Sequence, residues 1–209
     1  MILWTCQSNE SLESLLKTGT YRTNRSIAER EGVLKGDTWV QYCYQWMTKQ
    51  MKNRLPPSGL SDDALPVWAY YKAHEDRTKP DLRRWNFRQS ETFFRIEFEI
   101  EDELALLSDL GLWHFVFYNS YFGSSEIDEE AFQFELQSKG FDELDKPVAH
   151  PLYQNKIEKS WETIFELDPK CNFTRIVGNE KIIQATFWEL RLDQVTNVTE
   201  ARPKRSALW

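Results

Sequence analysis

Two groups of side chains in this 209-residue sequence have the chemistry of a site. The first is a single carboxylate, Glu189, in the apolar run QATFWELRL. Strand alternation puts it on one face with Ile183, Ala185 and Phe187. An acid on an apolar face is costly to bury unless it is paired or used. Glu189 is therefore a working acid, the partner of a structural arginine, or a residue that the strand end lifts into water. The second group is Lys72 to Arg88, where Lys72, Arg77, Lys79, Arg83, Arg84 and Arg88 outnumber Glu75, Asp76 and Asp81. Guanidinium forks match phosphate oxygens. Trp68, Tyr70, Tyr71 and Trp85 flank this basic stretch, and aromatic faces stack bases. The competing reading is a solvated loop above a core that contains those aromatics.

Other chemistries are poorly served. His74, His114 and His150 show no HxxxH or HxxE spacing, so no metal site is expected. Cys6, Cys43 and Cys171 are odd in number, far apart and in no CxxC pair, which fits reduced thiols. GxSxG, GxGxxG and GxxxxGK[ST] are all absent. The acids Glu97, Glu99, Glu101, Asp102 and Glu103 read as a solvated strand face and turn, because like charges that dense repel when buried.

Several elements must position these residues. Phe94, Ile96, Phe98 and Ile100 alternate with Arg95, Glu97 and Glu99, the period of a half-buried strand. Ser108 or Asp109 stands where the N-cap of a following helix belongs, with Leu112, Phe115 and Val116 at helical spacing. At the opening, Ile2 to Cys6 reads as a strand. Ser8 or Asn9 caps a helix carrying Leu12, Leu15 and Leu16, and Gly19 ends it. Thr38 with Gln41 forms a capping box before the stripe Trp39, Tyr42, Cys43, Trp46 and Met47. Val67 to Tyr71 reads as a strand. Ile127, Ala131 and Phe134 share one helix face, and Ile157, Trp161, Ile164 and Phe165 make another stripe. Cys171 to Val177 and Ile182 to Leu192 read as strands of a hairpin.

Strands and helices mix without a βαβ rhythm. The expected class is α+β, with a mainly antiparallel sheet and four to five packed helices. One domain over residues 1–198 is expected, with 199–209 as a tail. Nine tryptophans and thirteen phenylalanines supply core material, which argues against disorder. A net charge of -7 argues against a protein that coats DNA, though not against a local basic patch. The opening MILWTCQSNE turns polar too quickly for a signal peptide, and no apolar run reaches membrane length. The chain reads as a soluble cytoplasmic protein.

The ordered blocks ILWTCQ…LLKTG, PVWAYY…KPDLR, FRIEFEI…LLSDLGLWHFV, Trp161 to Phe165 and QATFWEL resemble an uncharacterised bacterial group, domain of unknown function 3841. The likeness spans nearly the whole chain and implies no activity. A second, fold-level likeness is to the ADP-ribosyltransferases: a first strand with W-T, a helix, a glycine and an extended piece. That likeness implies NAD as cofactor and a catalytic glutamate on a late strand. Gln184 or Glu189 in QATFWEL is the nearest match, with Glu189 the only acid, and Trp4 stands where such enzymes commonly carry His or Arg.

Two functions follow. One is a binding module for protein or nucleic acid, using the aromatic and basic stretch Lys72 to Arg88. The other is an enzyme on NAD or another nucleotide. In it Trp4 and Thr5 line the pocket, Trp68 offers a stacking face, Arg83 meets a phosphate, and Glu189 stabilises developing positive charge. The second reading requires Trp4, Arg83 and Glu189 to share one cleft.

Overall fold

The computed structural model describes residues 1–23, 25, 28, 38–61, 64–74, 78–82, 92–141, 150–167 and 181–201. The chain opens with strand β1 (Ile2–Ser8), helix α1 (Asn9–Thr18) and the short strand β2 (Thr20–Tyr21). The Ser8 hydroxyl accepts from the Ser11 amide to start α1. Gly19 ends the helix at φ 76°, a conformation glycine takes without a Cβ penalty. Helix α2 (Thr38–Arg54) and strands β3 (Val67–Lys72), β4 (Phe93–Glu99) and β5 (Leu106–Asp109) follow. Asp109 then caps helix α3 (Leu110–Phe117), its carboxylate accepting from the Gly111 and Leu112 amides. Helices α4 (Glu126–Ser138) and α5 (Pro151–Trp161) precede β6 (Ile183–Phe187), β7 (Leu190–Arg191) and β8 (Val195–Ala201).

Six strands form one antiparallel sheet in the order β5-β6-β3-β1-β4-β8, while β2 and β7 pair separately. With five α-helices among the described residues, the fold is a single α+β domain. Alternation along each strand divides the side chains between two cores. Leu3, Val67, Ala69, Ile96, Phe98, Ala185 and Phe187 meet Leu12 and Leu15 of α1 on one face. On the other, Trp68 and Leu106 join a helical bundle built around Trp39, Trp46, Trp113 and Trp161.

Two boundaries differ from the sequence reading. The strand expected over Ile182 to Leu192 stops at Phe187, because Trp188 turns into the bundle core before Leu190 begins β7. Thr199, Glu200 and Ala201, expected in the tail, are residues of β8 paired with Arg95, Phe94 and Phe93. The hairpin partner at Cys171 to Val177 lies outside the described residues.

Candidate functional site

Strand register lays one row of side chains across the whole sheet: Asn197, Glu97, Trp4, Tyr70, Gln184 and Ser108. At its β4 end the Trp4 indole Nε1 donates to Glu97 Oε2 at 2.7 Å, and Lys79 Nζ donates to the same oxygen at 2.8 Å. Arg95 donates to the Pro80 carbonyl at 2.6 Å. The described part of the basic stretch is thus strapped to β4, and Lys79 is held by a carboxylate.

Glu97 is held below the ordinary glutamate range, first by the Lys79 hydrogen bond and then by that of Trp4. A depressed folded pKa stabilises the fold above the unfolded value, and that contribution disappears as pH falls through the folded value. Glu97→Gln should therefore be less stable than the parent at pH 7. The gap should close below the ordinary glutamate value, near pH 4 to 4.5. Thermal midpoints of both proteins between pH 3 and pH 7 test this, and a gap independent of pH would refute it.

At the other end of the row, Ser108 is fully buried and Gln184 nearly so. The Ser108 hydroxyl and the Gln184 amide nitrogen have no hydrogen-bond partner among the described residues. Leaving such groups unpaired costs free energy, whereas an apolar replacement of similar shape does not. Ser108→Ala should hold or raise stability, by up to about 1 kcal/mol in urea denaturation.

Thr5 points to the opposite face from Trp4. Its hydroxyl donates to the Trp68 carbonyl at 2.8 Å and accepts from the Gln7 amide at 2.7 Å, so a side chain bridges β1 to β3 there. The Trp68 ring is packed edge-on against Tyr44 and tilted against Trp113. It is partly buried against the bundle, because β3 alternation turns it to that face.

Glu189 sits in the break between β6 and β7, which resolves the cost of burying it. Arg22 donates to its Oε2 from Nε at 3.0 Å and from Nη2 at 2.8 Å. The carboxylate is partly exposed and has the arginine partner that a structural role requires. Trp4 and Glu189 do not meet. Trp4 is level with Gln184, and the three residues to Phe187 alone span roughly 10 Å before the chain turns away. Arg83 lies outside the described residues.

The two described thiols, Cys6 and Cys43, are sheltered. Burial pushes Cys6 up to about 12, with Arg95 opposing only in part. Cys43 is fully buried and donates to the Val116 carbonyl at 3.5 Å. Among the described residues no group of three His, Cys, Asp or Glu side chains is placed to hold a metal. No described helix is long and apolar enough to cross a membrane.

The feature that sequence reasoning missed is on α4. Ile127, Ala131 and Phe134 do share a face, but that face is exposed: Ile127 by 78% and Phe134 by 73%. The helix instead buries Phe132 and Leu136. Contacts at its first turn fix this rotation. The Ser125 hydroxyl caps it, Asp128 accepts from the Ser124 amide and hydroxyl, and Glu129 accepts from the Gly123 amide. Gly123 permits the close approach, since a Cβ there would lie 2.8 Å from Glu129 Cγ. The Phe132 ring then packs 4.2 Å from that of Tyr121, with the Lys156 ammonium 4.6 Å from the Phe132 ring.

No curated protein and no solved structure matches the chain. The family model described as domain of unknown function (DUF3841) matches residues 2–196, nearly the full length, and the chain belongs to that family.

Proposed function

We propose that the protein is a binding module for a protein partner, and that α4 carries the contact. The supporting observation is the outward stripe of Ile127, Ala131 and Phe134 on a helix whose other face is already satisfied by the core. Large apolar side chains aligned on one exposed helix face are a mark of interaction surfaces. A nucleic acid is the weaker candidate. Arg22, Arg54 and Lys79 bond carboxylates, and Arg95 bonds a carbonyl, so these cations are engaged within the fold.

Photo-crosslinking in the native cell tests this. Benzoylphenylalanine in place of Phe134 should trap a discrete protein, and Ile127→Ser should abolish the product. The same probe at Leu16, exposed on α1 across the sheet, should not trap it. Equal, diffuse products from both sites would refute the reading.

The second reading is an ADP-ribosyltransferase-like enzyme in which Glu189 acts without Trp4. One observation favours it: the partly exposed Glu189 carboxylate stands where the small β2-β7 sheet leaves the large one. A fixed negative charge there would stabilise a glycosyl cation as a leaving group departs. Calorimetric titration with NAD tests it. Heat that disappears in Glu189→Gln supports it, and no heat at millimolar NAD removes it.

A further inference from the structure

The charge around the α4 stripe restricts what can lie on it. The helix EIDEEAFQFELQS carries Glu126, Asp128, Glu129, Glu130 and Glu135 and no basic residue. At about 100° of turn per residue, Glu130 flanks the apolar stripe on one side and Glu135 on the other. Asp128 and Glu129 are turned inward to the preceding loop. The surface extends onto α5, because the Tyr153 hydroxyl donates to Glu135 Oε1 at 2.8 Å. Leu152, beside Tyr153 on α5, is exposed as well.

Three occupants are disfavoured by this pattern. A second copy joined through α4 would oppose acid to acid across a two-fold axis. An anionic membrane and a nucleic acid would meet the same repulsion. A segment with an apolar face and basic margins meets none of it. Its side chains would cover Ile127 and Phe134, while its lysines or arginines faced Glu130 and Glu135.

Resting on the protein-binding reading, we infer that the partner docks through an amphipathic segment flanked by lysine or arginine. Two labelled helical peptides with identical leucine faces test this against the full chain by fluorescence anisotropy. One has lysine margins and the other glutamate margins. The lysine peptide should bind at least about tenfold more tightly, the sum of several exposed charge pairs. Its affinity should fall several-fold between about 0.05 M and about 0.5 M salt, as screening predicts. Glu130→Gln with Glu135→Gln should remove most of the preference. Ile127→Ser with Phe134→Ser should remove binding while leaving the urea midpoint unchanged, because both side chains are already in water.

Equal binding of the two peptides, binding indifferent to the serine pair, or no binding of either at about 0.1 mM would overturn the inference. A concentration-dependent dimer lost in Phe134→Ser would also overturn it, in favour of a second copy. The two levels remain separable. A crosslink at position 134 to a protein segment without basic residues removes this inference alone, whereas no specific crosslink removes the binding reading beneath it.

Discussion

Trp161→Ala is expected to lower the stability of the protein by about 3–5 kcal/mol. The side chain is fully buried where α5 meets the bundle. Its ring stands edge-on to Trp46 at 5.4 Å and to Trp39 at 6.4 Å. Its indole N–H donates to the Ser120 carbonyl at 2.8 Å. Truncation therefore removes the largest fully buried side chain among the described residues, two aromatic contacts and one hydrogen bond together. The surrounding rings are too stiff to fill the space, so most of the cavity cost remains. Trp161→Phe should recover part of the packing and still lose the hydrogen bond, for a cost of about 1–3 kcal/mol. Urea denaturation followed by far-ultraviolet circular dichroism gives both values, free of the fluorescence change that loss of a tryptophan causes. A loss below about 1 kcal/mol in the alanine variant would show that the bundle is not anchored at this residue.

The same residue marks what the sequence could reveal. Ile157, Trp161 and Ile164 repeat at helical spacing with no competing apolar face, so the inward side of α5 follows from periodicity alone. The alternation of Phe94 to Ile100 and the Asp109 cap are local signals of the same kind. Helix α4 is ambiguous because it is apolar on two faces, Ile127 with Phe134 and Phe132 with Leu136. The choice between them is made by Gly123, Tyr121 and Lys156, which lie outside the helix. The row from Glu97 to Ser108 was hidden for a related reason. It requires pairings between residues as far apart as Tyr70 and Gln184, and strand register is not written in either strand by itself. Glu189 carried a local signal, an acid among apolar neighbours, and the arginine partner was one of the outcomes it allowed. Its partner Arg22 is 167 residues away, and only the fold brings the two together.

The second large effect lies on the opposite face of the sheet. Phe98→Ala and Phe187→Ala should each cost about 3–5 kcal/mol, since both rings are fully buried. Their centroids are 5.1 Å apart, so the two losses share a cavity. The double variant should therefore cost less than the sum, with a coupling of about 0.5–3 kcal/mol. Phe98→Ala combined with Trp161→Ala should behave differently. These residues occupy separate cores with no shared partner, and their losses should add to within about 0.5 kcal/mol. Even so, the two cores should melt together. Strand β6 and the residue after it serve both, with Ala185 and Phe187 facing α1 while Trp188 enters the bundle. Neither core can open without exposing one face of the same strand. A single urea transition in each single variant is the expected result. Two separated transitions in Phe98→Ala, one for each core, would mean that the sheet does not bind the cores into one cooperative unit.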